Sequence, residues 1–254
     1  MQMLRSVRVA GLLAVISLAL SAEGSGRGNH PGVQPDANPA TSWLVFVDDL
    51  HLSFRQTGDL RELLRATCAT LVGPADLISL RSNGPSAALI QQRRGSEREH
   101  IESQIKKVTG SGLRPSDVIP GVVRGLDEKR YRFRLATATA ALLLEEATGP
   151  SGLPVILLYV SNGYDLDDGE TLERLRALRD QAVRNNVPIA VLDPRLIARD
   201  QSPESVPSPF AWDQHWSRTR NSLRELASAG GVVQEPGETL ADLLPRVRAL
   251  ARAR

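Results

Sequence analysis

The sequence predicts an α/β protein: a three-layer, mostly parallel, doubly wound sheet with helices on both faces. Three observations carry this. Short apolar runs alternate with longer segments of helical periodicity from Ser42 onward. The runs "WLVFV" and "VILLYV" lack polar alternation, as strands covered on both faces do. Polar clusters follow both, "DDLHLS" after the first and "SNGYD" after the second, where such sheets place their ligand crevices.

The start of the 254-residue chain has a different character. Arg5 and Arg8 precede a short uncharged apolar run, "VAGLLAVISLAL", and the small residues "SAEGSG" follow. Basic start, apolar middle and small-residue exit describe a secretory signal over residues 1–22. The run is too short for a comfortable membrane span. Residues 23–41, rich in Gly, Pro, Asn and Ser, read as a leader, and residues 42–254 as one domain. The expectation is export to a periplasmic or extracellular location, with no membrane span after cleavage.

Within the domain, "WLVFVDD" is a strand, and "DLRELLRATCATLV" a helix with Leu60, Leu64, Cys68 and Leu71 in phase. Two short strands, "ADLISLRS" and "SAALIQQ", lead to a helix carrying Ile101, Ile105 and Val108. After the Gly/Ser/Pro-rich "TGSGLRPSDVIPG" come the buried helix "RLATATAALLLEEA" and the strongest strand, "LPVILLYVSNG". "ETLERLRALRDQAVRNN" is a helix and "VPIAVLD" a strand. "SLRELASAGG" is a helix with a glycine stop, "GVVQEP" a short strand, and "ETLADLLPRVRALA" the closing helix. Pro245 is expected to kink that last helix or to mark its true start.

Composition narrows the chemistry. The net charge is +2 with acids and bases interspersed, so no nucleic-acid stripe is present. One cysteine, Cys68, excludes an internal disulfide, and its place in an apolar stripe makes it a buried packing residue. No C-x-x-C, H-E-x-x-H or G-x-S-x-G pattern occurs, so neither zinc spacing nor a serine-hydrolase elbow is present.

The candidate site begins at Asp48, Asp49, His51 and Ser53. Paired acids after a first strand suit a phosphoryl-accepting pocket, a metal site, or a plain helix cap in which Asp49 and Ser53 satisfy loop amides. "VFVDDLHLSFRQTGDLRELL" resembles the opening of two-component receiver domains, but Arg81 stands where that family carries its phosphate-accepting acid, and a cation cannot take that role.

The fuller resemblance is to von Willebrand factor A-type domains, over about Ser42 to Ala251. Asp49, His51 and Ser53 are similar to that family's D-x-S-x-S motif, written here D-x-H-x-S. Ser161-Asn162-Gly163 resembles its Ser/Thr-Asp-Gly, and "LRELASAGGVV" with "ETLADLLPRVRAL" resembles its closing elements. The resemblance implies a divalent cation, Mg²⁺ or Mn²⁺, held by Asp49 and Ser53 with His51 and Asn162 nearby. Thr109, Ser111 and Ser116 stand as unassigned counterparts of its middle-loop threonine. A hard cation wants oxygen ligands. His51 offers nitrogen, which suits softer metals, and Asn162 removes a charge, so metal affinity is expected to be weak or absent.

Two further stretches carry candidates. "YDLDDGE" places Asp165, Asp167, Asp168 and Glu170 before a helix, as a partial calcium pattern or as acids favouring the helix N-terminus. Residues 193–220 hold Phe210, Trp212, His215 and Trp216 in a chain poor in aromatics. They read as a partner-contact loop or as tryptophans folded back over a core edge. The expected function is an exported binding module that meets a protein or an envelope surface through loops at the carboxyl ends of its strands. Asp48, Ser161, Trp212 and Trp216 are the expected partner contacts. The alternative is a metal-assisted hydrolase in the same crevice. The oligomeric state is not legible.

Overall fold

The structure, a computed structural model, describes residues 40–112, 123–146, 152–165, 169–197 and 209–252. The expected signal and most of the leader lie outside them. Among the described residues no helix is long and apolar enough to cross a membrane.

Among the described residues six strands form one sheet: β1 (Ser42–Val47), β2 (Leu77–Ser82), β3 (Leu89–Arg94), β4 (Val155–Val160), β5 (Ile189–Leu192) and β6 (Val232–Val233). Their spatial order is β3-β2-β1-β4-β5-β6, and every neighbouring pair is parallel except β2 and β3. The chain therefore winds outward from β1 to one edge, then returns to β4 and winds to the other. The switch point lies between β1 and β4, which run in register from Ser42 opposite Val155 to Val47 opposite Val160. A crevice opens at the carboxyl ends of the strands at such a point.

The strand pattern sorts the helices. Trp43, Val45 and Val47 of β1 face a core shared with α1 (Thr57–Leu71), α2 (Arg98–Ile105) and α6 (Leu240–Arg252). Leu44 and Phe46 face the opposite core, shared with α3 (Val123–Glu146), α4 (Gly169–Arg184) and α5 (Pro209–Ala227). β1 is buried at every residue, which is why its sequence shows no alternation. Phe46 and Tyr159 pack with ring centroids 4.8 Å apart. Such pairs contribute about 0.5–1.5 kcal/mol beyond their buried area.

Two expectations change. Residues 209–220, read as a loop, begin α5. The Ser-Pro step at 208–209 carries the N-terminal helix signature that the aromatic content obscured. Pro245 neither starts nor ends α6, which runs through it from Leu240. Its start is set instead by Thr239 and Asp242: the Thr239 amide donates to Asp242 Oδ2 (3.1 Å) and the Asp242 amide to Thr239 Oγ1 (3.3 Å). Cys68 is buried in α1, where burial pushes its thiol up to about 12, the inert packing residue its spacing predicts.

Candidate functional site

The tips of β1 and β4 converge. Asp48 directly follows β1 and is 0 % exposed. Its carboxylate accepts from four side chains drawn from three loops. His51 Nδ1–H and Asn83 Nδ2–H donate to Oδ1 at 2.8 and 3.0 Å. Ser161 Oγ–H and Tyr164 O–H donate to Oδ2 at 2.9 and 2.8 Å. Behind Tyr164, its hydroxyl also shares a hydrogen bond with the buried Tyr159. The Tyr164 ring is braced edge-on by His51 and by Phe133, each at 4.8 Å. Two oxygens offer about four lone-pair sites, and four donors fill them.

The electrostatics follow. Burial alone pushes the Asp48 carboxyl up; the His51 charge and the hydrogen bonds from His51, Asn83 and Tyr164 outweigh it and hold the group below its ordinary range. Burial and the Asp48 charge push both tyrosine hydroxyls well above theirs, so they serve as donors.

Asp49 turns the other way. Its Oδ1 accepts the Asn83 amide (3.1 Å) and its Oδ2 the Ser86 amide (3.2 Å), so it caps the β2–β3 loop. Burial raises its carboxyl; hydrogen bonds from Ser86 and Asn83 only partly offset that, and the neighbouring Asp48 adds to it. A Cβ at Gly84 would stand 2.9 Å from both Asp49 Oδ1 and Leu50 Cδ2, so a larger residue there would displace one of them. Asn83 thus touches both acids, with its side chain on Asp48 and its backbone on Asp49.

The remaining candidates divide between two chains of contacts. Ser53 Oγ accepts the Arg55 amide (3.3 Å) and caps a single 3-10 turn, Phe54–Gln56. Gln56 Oε1 accepts both the Ser53 amide (3.1 Å) and Asn162 Nδ2–H (2.9 Å), which ties the β4 tip to that turn. The Asn162 Oδ1 is buried without a partner. Asp48 and Ser161 are both 0 % exposed, so they hold the rim in place and do not present themselves to a macromolecule. Thr109 Oγ1 faces Arg61 (3.3 Å), and Ser111 Oγ donates to the Asp49 carbonyl (3.0 Å). Ser116 lies outside the described residues.

These residues do not fit a resident divalent cation. Both Asp49 oxygens are engaged by the Asn83 and Ser86 amides, and both Asp48 oxygens by side-chain donors. The D-x-S-x-S spacing, counted from the acid that meets Ser161, falls on Leu50 and Leu52, which carry no ligand atom. Among the described residues, no group of three or more His, Cys, Asp or Glu side chains is placed to hold a metal ion.

A second polar cluster borders the crevice. Asp165 accepts from His215 Nδ1–H (2.7 Å) and Arg218 Nε–H (2.5 Å), with Lys129 Nζ at 3.9 Å. Burial opposes its ionisation, but the His215 and Arg218 bonds and the His215 and Lys129 charges bring its carboxyl down to about 2. Asp167 and Asp168 lie outside the described residues, and Glu170 pairs with Arg134 and Arg174. Trp216 is half-buried, with its ring 4.3 Å from the Arg195 guanidinium. Arg195 is itself paired with Asp193 (2.6 Å) and donates to Thr219 Oγ1 (2.8 Å). Trp216 therefore covers a buried ion pair at the β5 tip; the Trp212 side chain lies outside the described residues.

Sequence reasoning passed over Asn83, Tyr164 and Phe54. Asn83-Gly84 reads as ordinary turn chemistry, and Tyr164 as part of an acidic stretch. Phe54, between Ser53 and Arg55, reads as one more apolar residue. In the structure it stands 68 % exposed on the rim beside the crevice.

No family model matches the chain, and no curated protein matches it. Among solved structures it is similar to the crystal structure of manganese-loaded Plasmodium vivax TRAP protein, at 12 % identity and a TM-score of 0.38. The match covers 65 % of each chain, so this chain spans just under two thirds of that protein's length. The fold that the geometry supports is a six-stranded, mostly parallel α/β sheet with helices on both faces.

Proposed function

We propose that this chain is an exported binding module of the von Willebrand A type. It engages a protein or envelope-surface partner through the loops at the carboxyl ends of its strands. The observation that carries the reading is Phe54: a large aromatic, 68 % exposed, on a 3-10 turn fixed from both sides by the Ser53 cap and the Asn162–Gln56 bond. Aromatic side chains held rigidly on a rim make interface anchors, because they bury much area at little entropic cost. Asp48 and Ser161 act beneath that surface, positioning it.

The same geometry weighs against the metal-assisted hydrolase. Hydrolysis in this crevice needs an acid with an oxygen available to a metal, a water or a substrate. Both oxygens of Asp48 are held by its four donors, and Asp49 is spent on loop amides.

The test compares the full chain with its Phe54→Ala variant as baits against a solubilised envelope fraction, with a hydrolase screen in parallel. The expected result is a partner retained by the wild type and lost by Phe54→Ala at unchanged melting temperature. Capture indifferent to Phe54, or turnover abolished by Asp48→Asn, overturns the proposal.

A further inference from the structure

We infer that Asp48 is a built-in substitute for a metal ion: an anion at the centre of the crevice, ringed by the chain's own donors, that assembles the binding rim without a divalent cation. This rests on the rim being the binding surface.

The argument is one of inverted polarity. A hard cation organises loops by drawing acceptor oxygens inward from several of them. Here the loops after β1, β2 and β4 all converge on one point, but each brings a hydrogen: His51 from the first, Asn83 from the second, Ser161 and Tyr164 from the third. The group at the centre is accordingly a carboxylate. A cation approaching Asp48 would face the hydrogens of four donors and could take an oxygen only by breaking bonds already made. No replacement ligand stands ready, because the side chains two and four residues after Asp48 are those of Leu50 and Leu52, and Leu52 is 0 % exposed in the core. Asp49, the other acid at the tip, is committed to the Asn83 and Ser86 amides. Ser161 is equally committed: its oxygen accepts the Gly163 amide (3.0 Å) while its hydrogen goes to Asp48.

The ring reaches the surface through the same loops. His51 lies three residues before Phe54 and Ser161 one before Asn162, so the turn bearing Phe54 is anchored to Asp48 from both sides. The predicted consequence is a rim whose stability and binding ignore chelators and depend on Asp48.

The experiment uses the full chain, with Mn²⁺ and Mg²⁺ as probes. Calorimetric titration of each ion is expected to give no saturable heat into the millimolar range. Melting temperatures are expected to coincide in EDTA and in Mn²⁺. Asp48→Asn should lower the melting temperature by roughly 6–20 °C, equally in both buffers. If that variant does not fold, Ser161→Ala and Tyr164→Phe, each removing one donor, should lower it by a few degrees, again equally. Saturable ion binding that is weakened by Ser161→Ala, or a Ser161→Ala defect that appears only in Mn²⁺, overturns the inference. Partner capture lost in EDTA also overturns it while leaving the binding reading intact. Absence of any partner sinks the binding reading, and the ion titration still decides whether Asp48 takes the place of a metal.

Discussion

Each end of β1 is clasped by a buried aspartate, and the two do so differently. At the amino end, Asp76 accepts the backbone amides of Thr41 (2.9 Å) and Gly73 (2.7 Å) and the Trp43 indole N–H (3.0 Å). At the carboxyl end, Asp48 accepts only from side chains, four of them. Backbone amides are present whatever the residue, so two of the three donors to Asp76 come with any sequence that makes this turn, and Trp43 alone is specified by its side chain. Side-chain donors must each be specified by sequence, so the Asp48 centre exists only because four residues in three separate loops agree. The amino end also keeps open space, a cleft of about 170 Å³ beside Trp43, Asp76 and Arg248. Cohesion at one end is supplied mainly by the backbone and at the other by side-chain identity, and side-chain identity is what a functional surface can vary.

The comparison breaks most visibly in stability. Asp48→Asn leaves donors facing a neutral amide in a buried site, and should cost about 3–5 kcal/mol in chemical denaturation. Asp76→Asn keeps one acceptor oxygen for a backbone amide and should cost less, about 2 kcal/mol. Equal costs would erase the distinction between the two ends.

Acid should loosen the carboxyl end next. The Asp165 carboxyl lies at about 2 in the folded chain, below its unfolded value. A depressed folded pKa gives stability that is fully present above the unfolded pKa near pH 4 and lost as pH falls through the folded one. The loss expected between about pH 4 and pH 2 is on the order of 1 kcal/mol from this residue, because solvent screens its partly exposed ion pairs. Asp48 has the same sign, whereas Asp49, with its raised carboxyl, has the opposite one and favours the fold at low pH. Hydrogen exchange in acid should therefore show the loops after β1 and β4 opening before the Thr41–Asp76 end. Simultaneous opening would mean that the two ends are not separable.

Smaller effects sharpen the picture. Trp216→Ala removes the ring over Arg195 and should lower stability by about 1–2 kcal/mol, read from the thermal midpoint. Phe54→Ala should change stability by less than about 0.5 kcal/mol, because the side chain is already in solvent. Its effect should appear in partner capture alone. A large stability loss at Phe54 would make it a packing residue and remove the anchor.

Much of the fold was legible because the relevant signals are local. Unbroken apolar runs marked β1 and β4, helical stripes marked α1 and α4, and the alternation of strand and helix implied a mostly parallel sheet. The candidate site was legible only as an address. "DDLHLS" and "SNGYD" named the two strand tips, but motif spacing put the weight on Asp49, whereas Asp48 meets Ser161. Each of two adjacent acids fits a spacing rule, and only the direction in which each leaves the strand separates them. Asp48 gathers side chains from three loops, while Asp49 takes the backbone amides of Asn83 and Ser86 in the β2–β3 loop.

By itself, then, the sequence determined the layers, the strand-helix order and the polar character of two loop tips, since propensity and periodicity act over a few neighbouring residues. The tertiary structure alone decided that Asn83, 35 residues away, and Ser161 and Tyr164, more than 100 away, would close around one carboxylate. Contacts at that separation leave no periodic trace in the chain; they arise because parallel strands set side by side bring their loops to the same end of the sheet.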